Sequence, residues 1–239
     1  MEQVARARQD LVIANRVLAL QQVVDAYGHV SIRNPVDPSR FFLSRSLSPE
    51  LVELDDLIEF RLDGTAIADG RPPYLERFIH GAIYEARPEV NVVIHAHAES
   101  TLPFGITGAP LRPVIHSARG IGAEIPVWDI AERFGDDTNL LVTDVEQGRD
   151  LARRLAGNTV VLMRGHGFAS VGQSIVQAVG TAINLPKNAR VLLEAMRLGE
   201  VKALAPGEIA SDRRTDFNSA PSRRGWHYWA TKAGCAHLL

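Results

Sequence analysis

Apolar positions recur at helical spacing over residues 4–26, at Val4, Leu11, Val12, Leu18, Val23 and Val24. That spacing predicts an opening amphipathic helix closed by Tyr27-Gly28. The pattern then shortens, and residues 29–33 and 40–43 read as strands around an Asn34-Pro35 turn. Asp63-Gly64, between runs at 57–62 and 65–68, is a hairpin signal. Helical spacing returns over 74–86 through Leu75, Phe78, Ile79 and Ile83, with Pro88 as the stop. β-Branched runs at 90–97 and 159–163 read as strands. Residues 174–199 form a second long helical stretch in which Pro186 is expected to make a kink. The final stretch, rich in Ser, Arg, Gly and aromatics, reads as an irregular arm or a late helix. No repeat and no divisive linker interrupts the chain, so residues 1–239 read as one domain, with 205–239 a C-terminal arm.

Composition narrows the function classes. The 239 residues, 46% of them apolar, suffice for a sizeable α/β core. Net charge is -2, with Lys and Arg scattered rather than striped, which argues against nucleic acid as a partner. No apolar run approaches the roughly 20 residues that span a bilayer, so no membrane role is expected. The opening MEQVARARQD lacks the layout of a secretory signal, which makes the cytoplasm the expected compartment. The single cysteine, Cys235, leaves no disulfide framework and no cysteine zinc cage; it reads as a tail residue without a role.

The sharpest chemical feature is His95-Ala96-His97 at the end of a predicted strand. Residues i and i+2 share a strand face, with Cβ atoms about 6–7 Å apart, so both imidazoles can converge on one ion. Val92, Ile94 and Ala96 then point the other way into a core. His166, in Arg164-Gly165-His166-Gly167 directly after the strand at 160–163, is the candidate third ligand, because flanking glycines let the backbone turn sharply there. Glu76 and His80 lie four residues apart on the predicted 74–86 helix, hence on one face. Taken alone, that pair is an ordinary solvated helix face; beside a metal, the carboxylate becomes a proton donor or acceptor.

These residues resemble a known family. Glu76-x3-His80-x3-Tyr84-x3-Pro88, then Val92-Val93-Ile94-His95-Ala96-His97, and later Gly165-His166-Gly167, are similar to the class II aldolase/adducin family, including the nineteen-residue step from Glu76 to His95. The likeness runs from about residue 5 to residue 200. It implies a single three-layer α/β/α domain around a central, largely antiparallel sheet, and a homotetramer with sites at subunit interfaces. It further implies one divalent metal ion per subunit (Zn, Mn, Fe or Co) held by His95, His97 and His166, with Glu76 an additional ligand or the acid/base.

Departures from the family pattern choose among its reactions. The sugar-phosphate aldolases carry a glycine–asparagine pair, a Thr-Pro-x-Gly loop and two serines before the acid. The matching stretches here read Gly28-His29, Ser44-Arg45-Ser46-Leu47 and Tyr74-Leu75. A phosphate cradle is therefore not expected, and His29, Ser44, Arg45, Ser46 and Tyr74 are candidate substrate contacts instead. Arg45 suits a planar carboxylate gripped by two parallel hydrogen bonds. The aldolases' donor tyrosine is replaced at Ile115-His116-Ser117, which makes His116 a second candidate acid/base. The expected activity is decarboxylation of a hydroxylated aromatic or unsaturated carboxylic acid. An aldolase on a non-phosphorylated substrate, an Fe(II) oxygenase on the same scaffold and a non-enzymatic adducin-like assembly domain are the alternatives. An amidohydrolase barrel, which also opens on His-x-His, fits the Gly-His-Gly turn and the opening helix poorly.

Overall fold

The computed structural model describes residues 1–239, apart from the side chains of Arg213 and Arg214. In chain order the elements are α1 (Glu2–Leu20), β1 (His29–Arg33), β2 (Arg40–Ser44), β3 (Leu57–Arg61), α2 (Arg77–Ala86), β4 (Val92–Ala96) and α3 (Leu102–Ile106). There follow β5 (Val127–Trp128), α4 (Ala131–Phe134), α5 (Val145–Leu155), β6 (Val160–Met163), β7 (Gly167–Gly172), α6 (Ile175–Leu198), α7 (Pro206–Ala210) and α8 (Ala220–Lys232). The strands form one sheet in the order β3-β2-β1-β4-β7-β6-β5, antiparallel throughout except for β5 beside β6.

Strand alternation divides the interior into two cores. Val92, Ile94 and Ala96 of β4 pack with α1 and α6 on one face, while Val93 joins α2 and α5 on the other. The result is the expected helix–sheet–helix layering around a largely antiparallel sheet. Central β4 pairs with β1 and β7, placing His95 directly across from His29 on one side and from Ala169 on the other. Its odd-numbered residues face the α2 layer, and that places the His95 imidazole on the same side as Glu76.

Three expectations change. The opening helix ends at Leu20, six residues before 26, in a Schellman motif: Gln22 takes φ 57°, its amide bonds to Ala19 O, and the Val23 amide bonds to Leu18 O. The usual glycine signal is missing because a glutamine occupies the left-handed position. The second helix starts at Arg77, since Pro72 and Pro73 are held against the end of β2 by Ser46 N–H to Pro72 O (2.8 Å) and an Arg45–Pro73 bridge. Glu76 is consequently its N-cap residue and not part of its face. The tail is also less irregular than expected: α8 packs on α1, and Trp226, Ala230 and Cys235 are buried there. Helix α6 continues through Pro186. No helix among the described residues is long and apolar enough to cross a membrane.

Candidate metal centre

Four side chains from three parts of the chain meet at the edge of the α2 layer. His95 closes β4 and His97 follows it, as the alternation requires. His166 occupies the turn between β6 and β7, where Gly165 takes φ 66° and Gly167 lies so close to β4 that an added Cβ would sit 2.2 Å from Ala96 O. Glu76 reaches in from the start of α2. Their ligand atoms all lie within 4.8 Å of one another. His97 Nε2 is 2.9 Å from His95 Nε2 and 3.1 Å from His166 Nε2, and Glu76 Oε2 is 3.3 Å and 3.5 Å from the His95 and His166 Nε2 atoms.

This donor set fits a divalent cation. His95 Nδ1 is 3.0 Å from the Phe168 carbonyl, which can only accept, so the His95 hydrogen is on Nδ1 and its Nε2 offers a lone pair. His97 Nε2 has one hydrogen at most and two imidazole nitrogens within 3.1 Å, so it cannot direct a hydrogen bond at both, and the remaining nitrogen–nitrogen contact is repulsive. A single ion, ordinarily about 2.0–2.1 Å from an imidazole nitrogen, removes that repulsion. Burial, then the neighbouring His95 and His166, depress His97 to about 4, which keeps it neutral and able to ligate at pH 7. Burial opposes the charge on Glu76, yet the His95 and His166 imidazoles and the Val142 amide outweigh it and hold the carboxyl at about 2. The Val142 amide donates to Oε1 at 3.0 Å, which leaves Oε2 to the histidines.

The remaining sequence-predicted residues separate into three groups. His29, Ser44 and Tyr74 form a wall beside the cluster: the His29 ring lies 5.1 Å from that of His95 and 4.6 Å from that of Tyr74, and Ser44 Oγ donates to the Tyr74 hydroxyl at 3.2 Å. The Tyr74 hydroxyl donates in turn to the Leu47 carbonyl. Arg45 stands next along this wall, half-exposed, with Nε on Asp56 Oδ1 at 2.7 Å; neither Nη atom makes a hydrogen bond among the described residues. The guanidinium is thus anchored on one edge and not wholly available, as a free two-pronged grip would need. Ser46 is exposed and bonds through its backbone to Pro72. His116 is exposed on a turn, His116–Ile121, that packs on α6, and its side chain makes no hydrogen bond to the other site residues among the described residues.

Two contributors escaped the sequence, and two more were given no role from it. The Val142 amide and the Phe168 carbonyl carry no signal, since any residue type supplies them. Ser31 and Tyr84, buried behind His29 and His80, were legible in principle: His29-x-Ser31 shares a strand face and His80-x3-Tyr84 a helix face.

The chain matches the family described as Class II Aldolase and Adducin N-terminal domain over residues 9–193. It is 39% identical over 204 residues to decarboxylase tropJ of Talaromyces stipitatus, covering 80% of this chain and 77% of that protein. It is 27% identical over 241 residues to a 3,4-dihydroxyphthalate decarboxylase of Arthrobacter keyseri, with 92% of each covered. Among solved structures, L-fuculose 1-phosphate aldolase from Glaciozyma antarctica superposes with a TM-score of 0.76 at 24% identity, over 96% of this chain and 92% of that one. A likeness at that identity speaks for the fold alone.

Proposed function

The chain belongs to the class II aldolase and adducin family, and from that premise we propose that it is a divalent-metal-dependent decarboxylase of a hydroxylated aromatic or unsaturated carboxylic acid. The observation that carries the metal half of this reading is the convergence of three imidazole Nε2 atoms on one point, with His95 forced by Phe168 to present its lone pair. Support for decarboxylation comes from relatives named as decarboxylases, one of them by name acting on 3,4-dihydroxyphthalate. The imidazole, guanidinium and phenol of His29, Arg45 and Tyr74 also stand where the family's sugar-phosphate enzymes have asparagine, proline and serine.

When bound, the ion acts as a Lewis acid toward negative charge on substrate oxygens. The protein's own groups orient the acid and move a proton. Arg45, anchored through Nε, turns its Nη atoms to the substrate carboxylate. Glu76 is ionised at neutral pH, so it first accepts a proton from a substrate hydroxyl at Oε2 and then returns it to the carbon that has lost CO2. The Tyr74 hydroxyl, kept protonated by burial, closes the wall against water. His116 would join this chemistry from a neighbouring subunit.

The test is a screen for CO2 release from hydroxylated aromatic and unsaturated acids, run beside sugar phosphates as aldol-cleavage substrates. Acid-dependent CO2 release is expected. Faster cleavage of a sugar phosphate than of any acid would contradict the proposal.

A further inference from the structure

Residues 109–115, which lead into the turn carrying His116, belong to no helix or strand. Their backbone groups need partners from elsewhere, and Asn188 of α6 engages three of them. Its Oδ1 accepts the Val114 N–H at 2.8 Å and the Ile115 N–H at 3.3 Å, and its Nδ2 donates to the Arg112 carbonyl at 2.8 Å. Backbone partners fix these directions, since an N–H only donates and a carbonyl only accepts. Turning the amide over would set donor against donor and oxygen against oxygen.

Asn188 is 0% exposed. Asparagine is a poor helix former, and burying its amide is costly unless it is hydrogen-bonded. An apolar residue would fill the same core position at lower cost, so the amide marks a segment whose backbone has to be held. The hold passes onward from Ile115, whose carbonyl accepts the Ala118 N–H at 3.0 Å and opens the turn on which His116 and Ser117 are exposed. The Leu204 N–H, donated to the Pro113 carbonyl at 2.9 Å, adds a second hold. Two residues before Asn188, the Pro186 carbonyl accepts the Ser100 hydroxyl at 2.9 Å, three residues beyond His97, so α6 is tied to the segments of both histidines. Exposed side chains on a backbone fixed from behind meet a partner with little further ordering.

We infer that Asn188 is a positioning residue, which holds the backbone of residues 112–115 so that His116 is presented ready-ordered to the metal centre of a neighbouring subunit. The destination rests on the reading that His116 acts across an interface; the hold of Asn188 on the segment does not.

The test reads the segment and the reaction separately. Hydrogen exchange of zinc-loaded protein, followed by mass spectrometry, should show peptides over residues 112–118 losing protection in Asn188→Ala while those over β4 and β7 keep it. Asn188→Asp leaves an oxygen for both amides and should keep most of the protection. With the acid that releases CO2 fastest, kcat should fall about 10–100-fold in Asn188→Ala with little change in KM, and Asn188→Asp should restore much of it. Co-assembly then separates positioning from a general loosening. Mixed with His95→Ala chains, Asn188→Ala chains should recover up to about a quarter of wild-type activity, because intact cluster and intact turn then come from different chains. Mixed with His116→Ala chains they should recover nothing. The reverse pattern would overturn the inference, as would unchanged exchange over 112–118 or full kcat in Asn188→Ala. Failure of His95→Ala and His116→Ala chains to complement each other would instead locate the fault in the reading of His116, and the inference would fall with it. Exchange is read without turnover, so it decides the hold on the segment even if no acid releases CO2.

Discussion

Arg45 shows how a single residue's surroundings alter the role its chemistry suggests. Its Nε is engaged by Asp56, and its positive charge is felt at the Tyr74 hydroxyl. A lysine at this position would offer a point charge in place of a fork held on one edge. Arg45→Lys should therefore lower kcat/KM for the best acid by about 1.5–3 kcal/mol, the range for a hydrogen bond to a charged group; unchanged kinetics would remove the carboxylate contact. The buried histidines give a pH prediction. Burial, then the neighbouring His95, hold His80 at about 3 against an ordinary 6.5, with Glu76 pulling weakly the other way. The unfolded chain takes up that proton as pH falls through 6.5 and the folded chain does not, so stability is complete above 6.5 and is lost progressively toward 3. His29 and His97 are depressed by burial and neighbouring imidazoles and act in the same direction. Urea unfolding of chelator-treated protein should show a loss of at least about 1 kcal/mol between pH 7.5 and 5.5; a flat profile would contradict the buried neutral imidazoles. At this scale the histidines and Glu76 were legible in the sequence, because side-chain chemistry and spacing carry the signal. The backbone groups of Val142 and Phe168 were not, because no side chain identifies them.

The close approach of β4 to the β6–β7 turn decides whether the imidazoles meet at all. Gly167 sits opposite Ala96 with no room for a Cβ, which would also come within 3.1 Å of the His97 ring. Gly167→Ala should destabilise the fold by at least about 1–3 kcal/mol and spread the His97–His166 pair, reducing metal retention. Gly180, on α6 with open space around its Cα, provides the contrast: Gly180→Ala should raise stability by up to about 1 kcal/mol. Thermal unfolding of the two variants separates the cases, and equal effects would contradict the packing account. Strands β1 to β4 and β6 and the long helices α1 and α6 were legible because their periodicities are unmixed, as in the continuous apolar run of β4, whereas β5, β7 and α5 were not read from the sequence. Element ends were read less well for identifiable reasons: Gln22 replaces the glycine that announces a helix stop, and an edge contact with Arg45 and Ser46 holds Pro72 and Pro73 out of α2.

At the scale of the whole molecule, assembly is proposed rather than seen. Trp128 and Trp226 are buried, and Trp128 Nε1 donates to Asp150 at 2.8 Å, whereas Tyr228 of α8 is exposed. Among the exposed apolar residues are Leu75, Ile106 and, on α6, Val191, Met196 and Leu198, the last 90% exposed. The exposed His116 side chain makes no hydrogen bond to the cluster within its own chain, and we propose that it acts across an interface. Co-assembled His95→Ala and His116→Ala chains, each inactive alone, should then recover up to about a quarter of wild-type activity by random assortment; no recovery would place both residues in one subunit's site. The central claim, that His95, His97 and His166 hold one ion beside Glu76, is tested most directly by elemental analysis of protein purified without chelator. One equivalent of a divalent metal per chain is expected in the wild type, and a small fraction of that in folded His166→Ala. A full equivalent in His166→Ala, or none in wild-type protein incubated with zinc or manganese, would contradict it.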